Sequence, residues 1–179
     1  KEKPSFESKN LIISPVGSGK SHLIENVLIP KGYSKKILYL VSNTALKDSI
    51  CPPLNEDREA LFKSGSSEMF YTTSNKTMYG AKDYKVHVMT YFEFGEKVFN
   101  PTEEFTKNID LMFCDEIHSL PIYYQYDKNP FLLSAMQYLL RPNEKKRIYF
   151  FTGTKEKIDN FEEKHPGFFK AVKVFNYMN

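Results

Sequence analysis

The chain has 179 residues, 41% apolar and 26% charged, with a net charge of +3, a composition that suits one globular domain and not a disordered chain. No apolar run approaches a membrane span and no segment has the layout of a signal peptide, so no membrane partner is expected. Cys51 and Cys114 make no disulfide framework, which predicts a reducing, cytoplasmic or other intracellular setting.

In chain order, the first predicted element is a buried strand at 10–14, "NLIIS". It leads into "SPVGSGKS" and then a helical pattern over 20–29. Strand, Gly-rich turn and helix is the arrangement that holds phosphates. Gly17 and Gly19 let backbone N–H groups converge on an anion, and the helix N-terminus adds its positive end. Lys20 would reach the β- and γ-phosphates, and the Ser21 hydroxyl would ligate Mg²⁺. The first position of the G-x-x-x-x-G-K-[ST] pattern is Ser14 in place of glycine.

Further strands are predicted at 36–42, 85–91, 110–116, 147–154 and 171–177, and helices at 44–50, 130–141 and 155–164. Several strands are apolar on consecutive residues, as in strands covered on both faces. Their alternation with helices predicts a parallel α/β sheet. Residues 51–84 read as a surface excursion with one short helix and one short strand at 68–73. Net charge is +4 over residues 1–50, −4 over 51–142 and +3 over 143–179, a distribution that only mildly favours a nucleic-acid partner.

The run "IDLMFCDEIHSL" ends a predicted buried strand on two carboxylates. Such a pair is costly unless a cation or a reaction needs it. In an open α/β sheet the ligand site lies at the carboxyl ends of the strands, so Asp115 and Glu116 are expected at the same edge as the loop after "NLIIS". Asp115 would then hold the Mg²⁺ that Ser21 touches, and Glu116 would deprotonate an attacking water. Taken alone, Asp-Glu after a strand is also how many helices begin.

"SPVGSGKS", "YLVSNTALKDS", "DEIH" and "FTGT" together resemble the first RecA-like domain of superfamily 2 helicases, the DEAD/DEAH-like group, from Asn10 to Thr154. The resemblance implies a RecA-like P-loop NTPase, an α/β fold with a mostly parallel central sheet and helices on both faces. It implies ATP and Mg²⁺ as cofactors. Pro15, Val16, Gly17, Ser18, Gly19, Lys20, Ser21 and His22 would form the nucleotide loop. Ser21 and Asp115 would bind the metal, and Glu116, Lys20 and His118 would serve catalysis. His118 would hydrogen-bond toward Thr152 and Thr154, coupling hydrolysis to domain movement. Asn43, Thr44, Lys47 and Thr90 match the phosphate-contacting segments for single-stranded or duplex nucleic acid. This chain has Thr-Gly-Thr for the usual Ser-Ala-Thr, and Ser42-Asn43 for the usual Pro-Thr. Asn43-Thr44 reads equally well as a helix cap.

Helicases of this group need a second RecA-like domain that supplies an arginine finger. Arg58, Arg141 and Arg147 are the only arginines, and none lies in a recognisable finger motif. Residues 1–179 are therefore expected to be a single N-terminal helicase domain, cut from a longer chain that carries the second. A packaging or other translocating ATPase, a small-molecule kinase and a nucleotide-binding module without turnover are the competing readings.

Overall fold

The structure, a computed structural model, describes residues 9–14, 36–50, 71–73, 86–100, 109–122, 128–140, 146–164, 166 and 173–176. The predicted helix at 20–29, the glycine-rich loop after Ser14 and most of 51–84 lie outside the described residues. The elements in chain order are β1 (Lys9–Ile13), β2 (Lys36–Val41), α1 (Thr44–Ile50), β3 (Tyr71–Thr73), β4 (Val86–Thr90), α2 (Tyr91–Phe99), β5 (Ile109–Cys114), α3 (Pro130–Leu140), β6 (Arg147–Thr152), α4 (Lys155–Lys164) and β7 (Lys173–Asn176).

Seven strands form one sheet in the order β3-β4-β2-β5-β6-β1-β7, and every neighbouring pair is parallel. The consecutive apolar residues of β1, β2, β5 and β6 follow from this placement, because central strands are buried on both faces. On one face Leu38, Leu40, Met112, Cys114 and Phe150 join a core with residues of α2 and α3 and with Ile158 of α4. On the other, buried aromatics cluster around Phe113. Its ring stacks on Tyr149 at 5.7 Å and lies 6.3 Å from both Tyr39 and Phe151.

Helix α2 was not foreseen by the strand expected over 85–91. That strand ends at Thr90, and Tyr91 begins a helix. The cause is a reciprocal cap. The Thr90 hydroxyl accepts the Glu93 N–H at 3.1 Å while the Glu93 carboxylate accepts the Thr90 N–H at 3.1 Å, so two of the helix's orphan donors are satisfied. Phe94 and Gly95 then face inward. A β-carbon at Gly95 would lie 1.9 Å from the Phe131 carbonyl oxygen, so the close approach of α2 and α3 requires glycine there. Phe94 also meets Tyr138 of α3 edge to face at 5.2 Å.

Among the described residues, the short strand expected at 68–73 is β3, an edge strand beside β4. No helix among them is long and apolar enough to cross a membrane.

Candidate functional site

Strand β6 lies between β1 and β5, and all three run in parallel. Their carboxyl ends therefore emerge side by side, with Thr152 between Ser14 and Asp115. The ends of β1 and β5 are two strand spacings apart, about 10 Å. Backbone bonds fix this edge. The Ser14 N–H donates to the Thr152 carbonyl at 3.0 Å, the Asp115 N–H to Leu40 at 2.9 Å and the Ile117 N–H to Phe151 at 2.9 Å. Asp115 thus stays in the ladder toward β2 and Ile117 in the ladder toward β6.

Between them Glu116 turns the chain with φ 46°, a left-handed conformation that a non-glycine residue keeps only when its surroundings hold it. The holding contacts are visible. The Ser119 N–H and hydroxyl both donate to the Glu116 carbonyl, at 2.9 and 2.8 Å. The Gly153 N–H donates to Glu116 Oε1 at 3.3 Å, and His118 Nε2 faces Glu116 Oε2 at 3.4 Å.

His118 is buried, and its Nδ1 lies 2.9 Å from the Thr152 hydroxyl. Burial pushes the imidazole pKa down and Lys157 pushes it further, against the opposing pull of Glu116 and Asp115. A neutral ring has one donor and one acceptor nitrogen. Nε2 faces the Glu116 carboxylate, and Nδ1 shares a hydrogen bond with the Thr152 hydroxyl, which also lies 3.4 Å from the Thr154 carbonyl oxygen. That hydroxyl oxygen also accepts the Thr154 N–H at 3.1 Å. Glu116, His118, Thr152, Gly153 and Thr154 therefore form one hydrogen-bonded group across the ends of β5 and β6. Thr154 joins it through its backbone, not its side chain.

The expected nucleic-acid positions lie elsewhere on the same edge, after β2 and β4. Asn43 caps α1, its side-chain oxygen accepting the Leu46 N–H at 2.9 Å. Thr44 is the first residue of that helix and is exposed. The Lys47 ammonium donates to the Glu93 carboxylate at 2.9 Å. Thr90 is buried, its hydroxyl committed to the cap of α2. Asn43, Lys47 and Thr90 thus each have a structural partner within the domain. Pro15, Val16, Gly17, Ser18, Gly19, Lys20, Ser21 and His22 lie outside the described residues.

Two participants were missed by reading the sequence. Glu93 was legible, because Thr-x-x-Glu before an apolar run marks a cap. Tyr91 was not, because its hydroxyl donates to the Asp115 carbonyl at 2.6 Å across a separation of 24 residues. Burial raises the Tyr91 pKa well above that of a free phenol, with Cys114 and Asp115 adding to the rise, so the hydroxyl keeps its proton.

A parallel sheet with a third strand between the loop-bearing strand and the Asp-Glu strand, and helices packed on it, defines an α/β domain of the RecA-like class. The family model described as "Type III restriction enzyme, res subunit" matches residues 4–157. The chain belongs to this family, the N-terminal helicase-like ATPase domain of superfamily 2 helicases. No individual curated protein matches it.

Proposed function

We propose that this domain binds Mg-ATP and hydrolyses it to drive movement of a larger helicase or translocase along nucleic acid. The observation that carries the reading is the group formed by Glu116, His118 and Thr152. Helix capping needs no such linkage between the ends of two neighbouring strands, whereas a hydrolytic site needs a base held in place. In this reading Gly17, Gly19 and Lys20 hold the phosphates. Glu116 takes the proton of a water whose oxygen attacks the γ-phosphorus, and the bond to the β–γ bridging oxygen breaks to leave ADP and phosphate.

The Asp115 carboxylate, 9% exposed at the strand end, and the Ser21 hydroxyl are hard oxygen donors. A single carboxylate with a hydroxyl fits Mg²⁺, which usually keeps several waters and takes its remaining ligands from substrate phosphates. Bound there, the ion would neutralise charge on the β- and γ-phosphates. Asn43, Thr44 and Lys47 would meet the backbone of the nucleic acid, with Thr90 shaping that edge, and a second RecA-like domain would close the cleft with an arginine finger. An intracellular site of action accompanies these substrates.

Glu116→Gln tests this in the full chain. ATP hydrolysis should fall about 10²–10⁴-fold, the usual worth of a positioned base, with ATP affinity retained. Lys20→Ala should lose ATP binding, measured by calorimetry. A Glu116→Gln protein that hydrolyses ATP at the wild-type rate would remove Glu116 from the mechanism.

A further inference from the structure

We infer that Tyr91 is a positioning residue for ATP hydrolysis, holding the Asp115–Glu116 peptide in the orientation that aims Glu116. The inference rests on the proposed role of Glu116. Tyr91 is 1% exposed and is the first residue of α2, and its hydroxyl donates to the Asp115 carbonyl at 2.6 Å. That carbonyl belongs to the peptide that precedes Glu116. Rotating this peptide changes φ of Glu116 directly, and φ is 46°, where an L-residue needs to be held.

Backbone contacts on both sides of Glu116 oppose relaxation of this turn. The Ile117 N–H is tied to Phe151, and the Glu116 carbonyl accepts from Ser119. Both act on the C-terminal side of Glu116. Among these contacts only Tyr91 grips the peptide on the N-terminal side, and it does so from a different layer of the molecule. The tyrosine is itself fixed at its backbone, because Thr90 and Glu93 lock the first turn of α2 and Glu93 is paired with Lys47. The aim of Glu116 is thereby tied mechanically to the part of the sheet edge that bears Lys47.

Tyr91→Phe removes one hydroxyl and keeps the ring. In the full chain the expected result is a fall in kcat for ATP hydrolysis of about ten- to hundredfold, the cost of a misplaced reacting group. The KM for ATP and the affinity for a single-stranded oligonucleotide should stay within about twofold of wild type. Thermal unfolding gives the folded fraction, and rates are taken per folded molecule. Tyr91→Leu, a second variant without the hydroxyl, should change kcat in the same direction. A wild-type kcat per folded molecule in Tyr91→Phe, beside an inactive Glu116→Gln, would overturn the positioning role alone. A Glu116→Gln protein with the wild-type rate would overturn the underlying reading and this inference with it.

Discussion

Two stretches of one sheet edge carry similar polar residues and use them differently. At the ends of β5 and β6, His118 faces Glu116 of its own turn and bonds across to Thr152 of the neighbouring strand. At the ends of β2 and β4, Asn43, Thr90 and Glu93 satisfy the N–H groups of the helices that start there, and Lys47 is paired with Glu93. The caps in the second arrangement follow from local chain needs, since every helix start has orphan donors. The first does not, because His118 and Thr152 are 34 residues apart and neither contact caps a helix. Polar side chains at a strand end point to chemistry when their contacts join neighbouring strand ends and serve no helix start.

The largest effect that would sharpen this contrast is expected at Thr152. Thr152→Val keeps the shape but leaves His118 Nδ1 and the Thr154 N–H without that hydroxyl. Because Thr152 is 1% exposed, denaturant unfolding should show a loss of about 1–3 kcal/mol, the cost of stranding buried polar groups. A loss near zero would mean that the cross-strand group contributes nothing to holding β5 and β6 ends together.

A smaller effect is expected at Lys47, and it could break the contrast. If Lys47 meets a phosphate of a single strand, Lys47→Ala should make the salt dependence of binding shallower by about 0.7 in log–log slope. Glu93→Gln should tighten binding about threefold, since an amide still completes the cap but no longer competes for the ammonium. Unchanged binding in both proteins would confine Lys47 and Glu93 to bracing α1 against α2.

The smallest effect concerns acid. Burial pushes the Glu93 carboxyl up, but the Lys47 hydrogen bond, the Thr90 N–H and the Lys47 charge outweigh it, so its pKa lies below the usual carboxylate value. A depressed carboxylate stabilises the fold above its unfolded pKa, and that stability is lost as pH falls through the folded value. For a partly exposed pair the contribution is about 0.5 kcal/mol or less. Glu93→Gln should therefore lose slightly less stability than wild type between neutral pH and pH 3, read by thermal unfolding across that range.

The apolar runs of β1, β2, β5 and β6 were legible because a strand buried on both faces needs no alternation. Helices α1 and α4 begin and end at the residues that the periodicity picks out, 44–50 and 155–164. Asp115 and Glu116 stood out as carboxylates at the end of such a run. The insertion of β6 between β1 and β5 was not legible, because strand order depends on crossovers that composition does not encode. Helix α2 was hidden by Tyr91 and Phe92, residues that favour strands as much as helices and that continue the apolar run of β4. The partnership of Tyr91 with Asp115 needed the sheet order before it had any meaning.

That sheet order has a consequence for synthesis. Among the described strands, β1 has ladder partners only in β6 and β7, whereas β2 pairs with both β4 and β5. As the chain leaves the ribosome, the strand that introduces the glycine-rich loop has no neighbour to bond until residue 147 and beyond are made. At 5–20 residues per second that wait is on the order of ten seconds. Pairings of such long sequence separation are slow, because the loop must close before any bond repays it. During that interval β1 is an apolar strand with both edges open, so a ribosome stalled before β6 would expose an aggregation-prone segment in place of half a nucleotide site.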